Sequence, residues 1–188
     1  INFWSEWWDT YGAGFRLAQF LPNEPENQAL RACFYEMFKY AAESRVASAI
    51  VRRLLGPAGP FHTDEELGTE LGADFFLALA EANPGDALLC LERLLDGKTT
   101  QDLLAFTDGR RQIIWALEKI VVWKQHFVSA AKLLLRFGMA ETENISNNAS
   151  GIFAECFSSA PGRLAPTEAS PEERYPLLCE AINSKDKA

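Results

Sequence analysis

The sequence predicts an all-α fold of stacked antiparallel helix pairs, and three observations carry that prediction. The first is an apolar pattern that occurs three times at a constant interval of 40 residues. Ala47, Ile50, Val51 and Leu54 are matched by Ala87, Cys90, Leu91 and Leu94, and again by Phe127, Ala130, Ala131 and Leu134. Each set is spaced i, i+3, i+4, i+7, which puts four apolar side chains on one helical face. The second observation is a set of glycines, Gly56, Gly97 and Gly138, that recur every 41 residues just past the stripes, where helices stop. The third is the breaker chemistry between the stripes, Gly56-Pro-Ala-Gly-Pro and Asn83-Pro84. A 40-residue period of helix pairs is that of a HEAT- or armadillo-like α-solenoid. In such a fold one hairpin cannot bury its apolar face alone, and stacking on its neighbours makes the core.

The elements follow in order. The opening Phe-Trp-Ser-Glu-Trp-Trp puts Phe3, Trp4, Trp7 and Trp8 on one helical face. That aromatic stripe either covers the open end of the stack or forms a docking surface for another domain. Leu21-Pro-Asn-Glu-Pro is a linker, since two prolines forbid helix interior. A helix is expected over 26–41, apolar at Leu30, Phe34, Met37 and Phe38, and its partner over 44–55. Thr63-Asp-Glu-Glu66 has the form of a capping box and predicts a short helix. Residues 74–82 form the first helix of the next pair. Asn83 as N-cap with Pro84 at the first helical position opens the second, which stops near Asp96-Gly97. A short connecting helix spans 98–106. The third pair has Ile113, Leu117, Ile120 and Val121 on its first helix; after a break near Trp123 its second runs to Arg136.

From Glu141 the period fails. Residues 141–151 are polar and rich in turn formers and predict an inserted loop. A helix near 152–157, irregular chain, and a helix from the Ser170-Pro-Glu-Glu173 capping box to about 182 complete the chain. The expected organisation is an aromatic N-terminal helix and linker (1–25), three helical hairpins (26–140), and a polar loop with C-terminal capping helices (141–188). The chain opens on Ile1 rather than methionine, so the expectation is a segment cut from a longer multidomain protein.

Composition narrows the function classes. A chain of 188 residues with 48% hydrophobic and 12% aromatic content can bury a sizeable core. Its net charge of −8 opposes generic binding to phosphate or to anionic membrane. The charge is uneven: residues 86–136 carry 8 basic and 6 acidic side chains inside an otherwise acidic molecule. No apolar run approaches the roughly 20 residues that span a bilayer. The four cysteines, Cys33, Cys90, Cys156 and Cys179, lie far apart with no CxxC, and Cys33 and Cys90 fall in apolar stripes. Cys33 and Cys90 read as small buried hydrophobes, and the four together read as thiols of a reducing, cytoplasmic protein rather than a disulfide framework. The sequons at Asn144 and Asn148 carry little weight without a signal peptide.

Chemistry-bearing patterns are sparse. Ser129-Ala-Ala-Lys132 has the S-x-x-K form without the companion elements that give it meaning. His62 and His126 stand without neighbours at metal-ligand spacing. Asp64, Glu65 and Glu66 read as a solvated first turn favoured by the helix dipole. No catalytic, cofactor or metal residue is assigned. Two surface features remain. Arg93, Arg110, Arg111, Lys119, Lys124, Lys132 and Arg136 are either solvated outer positions or a strip for an acidic partner or a nucleic-acid backbone. The segment with Asn144, Asn147 and Asn148 is either a turn-rich excursion or a binding loop. Candidate interaction residues are therefore Trp4, Trp7, Trp8, Arg110, Arg111, Lys119, Asn144, Asn147 and Asn148.

The runs ALAEANPGDALLCLERLL (78–95), GRRQIIWALEKIVVW (109–123) and AETENISNNASGIFAECFS (140–158) resemble a helical region of large bacterial proteins of the STAND-type NTPase or anti-phage sensor kind. The resemblance covers most of residues 27–182 and includes no catalytic motif. It implies a sensor or scaffold role, with any NTPase or effector elsewhere in the parent chain. The functional expectation is thus a non-enzymatic scaffold or regulatory segment. Its partner is a protein, or other domains of the parent, rather than a membrane or nucleic acid. The alternatives are an enzyme with a concave-face site and the 141–151 loop as lid, or a HEAT-like domain that binds a nucleic-acid backbone.

Overall fold

The computed structural model describes residues 45–158 and 166–183, and among these every regular element is helical. They form α1 (Arg45–Leu55), α2 (Glu70–Ala82), α3 (Pro84–Leu95), α4 (Thr100–Ala105), α5 (Arg110–Ile120), α6 (Phe127–Met139), α7 (Ala149–Glu155) and α8 (Pro171–Asn183). Single 3₁₀ turns at Pro60–His62 and Lys124–His126 lead into the connections. The helix expected over 26–41 and the aromatic opening with Trp4, Trp7 and Trp8 lie outside the described residues.

Local chemistry sets most boundaries. Thr69 caps α2 by accepting from the Gly72 amide at 3.0 Å. Asn83 closes α2, its amide donating to the Leu79 carbonyl at 2.9 Å, and opens α3, its Oδ1 accepting from the Asp86 amide at 3.1 Å. A single residue therefore makes the hairpin turn, and Pro84 fills the first position, where no amide hydrogen is needed. The same side chain reaches α1, with Nδ2 3.1 Å from Ser48 Oγ. Thr99 and Asp102 form a reciprocal capping box on α4, and Ser170 with Glu173 do the same on α8. Gly109, at φ 71°, starts α5 where a Cβ would stand 2.2 Å from the Leu67 carbonyl oxygen. That close approach lets α5 lie on α2, its most extensive partner.

The helices fall into two sets. Besides the hairpin contacts α2–α3 and α5–α6, α2 packs on α5, while α1 packs on α3 and α3 on α6. The three striped helices, 40 residues apart, are thus successive neighbours. Their inward positions are closed to solvent: Val51, Leu54, Ala87, Cys90, Leu91, Leu94, Phe127, Ala130, Ala131 and Leu134 are all buried. A continuous apolar core joins them to Phe61, Phe75, Phe76, Ile113, Leu117 and Phe137. Helices α7 and α8 pack on α6 and close that side of the core with Ile152, Phe153 and Leu177.

Three local expectations change. Residues 63–69 form turns rather than a helix: the Gly68 amide bonds the Asp64 carbonyl, and Thr69 then caps α2, which begins at Glu70, four residues earlier than expected. Helix α7 starts at Ala149, so the polar connection ends at Asn148 and Gly151 belongs to the helix. The glycine terminators are not equivalent. Among them only Gly97 takes a left-handed conformation, at φ 69°. Gly138 lies inside α6, where α7 crosses so closely that a Cβ would be 3.1 Å from Ser150 Oγ. Its glycine serves a helix crossing rather than a stop.

Candidate functional site

The basic residues of the middle segment do not form one strip. Three of them, Arg93, Arg110 and Arg136, reach the ends of helices. Arg93, on α3, donates from Nη2 to the Leu55 carbonyl at 3.0 Å and the Phe61 carbonyl at 2.6 Å. Arg136, on α6, donates from Nη2 to the Leu95 carbonyl at 2.9 Å and the Lys98 carbonyl at 2.8 Å. Leu55 and Leu95 end α1 and α3 and are themselves 40 residues apart. The C-termini of α1 and α3 are therefore each tied by an arginine of the next striped helix. Those carbonyls have no intrahelical donor and hold the negative end of the helix dipole, so a guanidinium satisfies both demands.

Arg110 is the strongest case. It is 2% exposed, and it donates to the Leu103 carbonyl at 2.9 Å, the Phe137 carbonyl at 2.8 Å and the Ala140 carbonyl at 2.6 Å. It thereby terminates both α4 and α6, doing for α6 what a C-terminal glycine does for α3. The Phe137 ring lies 5.1 Å from its guanidinium carbon, and Glu141 Oε1 is 3.8 Å from Nη2. Burial lowers its pKa, and the Glu141 and Glu143 carboxylates oppose that shift. Arg174 of α8 completes the set by donating to the Cys156 carbonyl at 2.8 Å, at the end of α7.

Of the sequence candidates, Arg110 is thus removed from any surface strip because its charge is buried on carbonyls. Arg111 is exposed but paired with Glu143 at 2.9 Å, and its guanidinium lies over Trp115 at 6.0 Å. Lys124 pairs with Glu173 at 3.3 Å. Lys119 and Lys132 are exposed on different helices, α5 and α6. Asn148 is the N-cap of α7, with Oδ1 accepting from the Gly151 amide and Nδ2 donating to the Glu143 carbonyl, each at 2.8 Å. Asn144 and Asn147 are exposed. The Glu141 carboxylate takes the Thr142, Glu143 and Ser150 amides, so the 141–148 connection is held at both ends.

No group of three or more His, Cys, Asp or Glu side chains that could hold a metal ion occurs among the described residues. Burial pushes the Cys90 and Cys156 thiols up to about 11, the first against the lowering charge of Arg93, the second aided by Glu155. Both are protonated at neutral pH and packed in the core.

One concavity opens beside this internal bonding. A groove of about 280 Å³ runs between α1 and α3, lined by Arg52, Leu55, Pro57, Asp86, Leu89 and Arg93 among others. Arg52 Nε meets Asp86 Oδ2 at 3.2 Å across its mouth. The sequence held a signal for it that the stripe concealed. In the Leu88-Leu89 pair only one leucine can sit beside the inward face of α3. Leu88 is buried, and Leu89 is 63% exposed.

Neither a family model, nor a curated protein, nor a solved structure matches the chain.

Proposed function

We propose that the chain is a non-enzymatic helical-repeat scaffold of the HEAT or armadillo kind, serving as a protein-interaction or regulatory segment of a larger bacterial multidomain protein. One observation carries the reading: the carbonyl ends of α1 and α3, at Leu55 and Leu95, are each bonded by an arginine of the following helix, Arg93 and Arg136. Units tied edge to edge in this way depend on nearest neighbours for their stability and present extended surfaces for partners. Arg93, Arg110 and Arg136 are engaged with backbone carbonyls of neighbouring elements. The dispersal of the basic strip also favours a protein partner over a nucleic-acid backbone, which needs several cations on one face.

A screen of the purified chain for hydrolysis of ester, phosphoester and nucleotide substrates tests the proposal. The expected result is no turnover above buffer. Turnover abolished by a single substitution on the surface of the described helices would overturn it.

A further inference from the structure

The groove between α1 and α3 carries features that stacking does not use. Leu89 stands on its wall 63% exposed, although α3 already turns Ala87, Cys90, Leu91 and Leu94 inward. Leu55 lies buried at its floor. The opposite wall, α1, contains Arg45, Arg52 and Arg53 and no acidic residue. Arg52 overhangs the opening with its side chain 71% exposed, held only through Nε on Asp86. Deeper in, Arg93 engages its Nη2 on the Leu55 and Phe61 carbonyls, and its Nη1 makes no hydrogen bond to the described residues. Asp86 is the one carboxylate on the lining, and its Oδ2 is already shared with Asn83 Nδ2 at 2.6 Å. Two guanidiniums therefore face one committed carboxylate beside an exposed leucine.

We propose that this groove receives an acidic peptide segment of a protein partner, with an aliphatic side chain against Leu89 and Leu55 and a neighbouring carboxylate on Arg52 and Arg93. The inference rests on the scaffold reading above and names the partner's chemistry. A volume of about 280 Å³ falls below the range of cofactor and drug-sized sites, about 300–1,000 Å³, and suits one side chain with its flanking backbone. Guanidinium matches a carboxylate through two parallel hydrogen bonds, and arginine is among the residues that dominate interface energies. The molecule's net charge of −8 repels an acidic partner at long range. At physiological salt that repulsion is screened beyond about 8 Å, so contact chemistry in the groove decides. A basic peptide would face both guanidiniums, and a nucleic-acid backbone has no aliphatic group to cover Leu89.

The test is a titration of the uniformly ¹⁵N-labelled full chain with the acetylated and amidated peptides EELEE, EESEE and KKLKK, and with oligouridine, read by amide chemical shifts. EELEE is expected to shift the amides of Leu55, Gly56, Leu89 and Arg93 saturably, and EESEE to bind about tenfold more weakly or worse. KKLKK and oligouridine should leave those amides in place. Arg52→Glu and Leu89→Ser, both at exposed positions, should keep the folded spectrum and weaken EELEE by about tenfold or more. The proposal is overturned if EELEE leaves the groove amides unmoved, if its shifts map elsewhere, if the two variants bind it as tightly as the parent, or if KKLKK or oligouridine binds the groove equally well. Those outcomes leave the scaffold reading standing, since that reading falls on enzymatic turnover.

Discussion

Helices α3 and α8 carry the same apolar spacing and meet different fates. In α3, Ala87, Cys90, Leu91 and Leu94 are all buried, between 0% and 9% exposed. In α8 the i, i+3, i+4, i+7 set is Tyr175, Leu178, Cys179 and Ile182, yet Tyr175 is 66% and Ile182 is 72% exposed. The difference lies in the neighbours. Helix α3 is surrounded by α1, α2, α5 and α6, whereas α8 has its main helix contact with α6 alone. Leu177, on the face between, is the residue α8 buries. Periodicity marks a face able to be buried; the packing around it decides whether it is.

The two regions are also fastened differently. Arginine heads bond the carbonyl ends of neighbouring helices in both, Arg93 and Arg136 among α1, α3 and α6 and Arg174 between α8 and α7. At the C-terminal side, Thr167 Oγ1 donates to the Val121 carbonyl at 2.8 Å, and the Glu168 amide donates to the Val122 carbonyl at 2.8 Å. These bonds pin the chain leading into α8 to the α5–α6 turn.

Substitutions should separate the regions by size of effect. Arg110→Met removes a buried charge, takes the side-chain donor from the Leu103 and Ala140 carbonyls and leaves Phe137 with only the Ala140 amide, and is expected to cost about 3–5 kcal/mol in chemical denaturation. A loss under about 1 kcal/mol would show that the carbonyls find water instead. Leu94→Ala and Leu134→Ala should each cost roughly 2–5 kcal/mol through the cavity they leave. A change under about 0.5 kcal/mol at Leu94 would break the assigned register. Thr167→Val, which keeps shape and removes the hydroxyl, should cost about 1–2 kcal/mol and expose the α5–α6 turn amides to hydrogen exchange. Ile182→Ser, on the open face of α8, should stay within about 0.5 kcal/mol. A large loss there would mean that this face is covered in solution.

Much of the helix pattern was legible in the residues, because Asn83-Pro84, the Ser170–Glu173 capping box and the three stripes each act within a turn or two of the chain, whereas the box read at Thr63–Glu66 opens no helix. The destinations of the arginines were not. A long side chain on the outer part of a helix reads the same whether its head meets water or a carbonyl of the next helix. Nor could the 40-residue offset reveal them, since Arg93 and Arg136 are 43 residues apart while their acceptors Leu55 and Leu95 are 40 apart. Gly138 was misread for a related reason: a glycine near a helix end signals a stop locally, and only the crossing of α7 shows that it clears space. The groove was half legible, through a leucine doublet that one helical face cannot absorb.

The central claim is that α1, α3 and α6 lie side by side in a 40-residue register. Positions 52, 92 and 132 are equivalent in that register and all exposed. Paired cysteines placed there two at a time, with Cys33→Ser and Cys179→Ser, can be challenged with a rigid bismaleimide spanning about 10 Å, the separation of adjacent packed helices. Cys90 and Cys156 need no replacement, being buried thiols with pKa values raised to about 11. Intramolecular links between 52 and 92 and between 92 and 132, with none between 52 and 132, is the predicted result. A 52–132 link forming as fast as the other two, or no link between the adjacent positions, would contradict the stack.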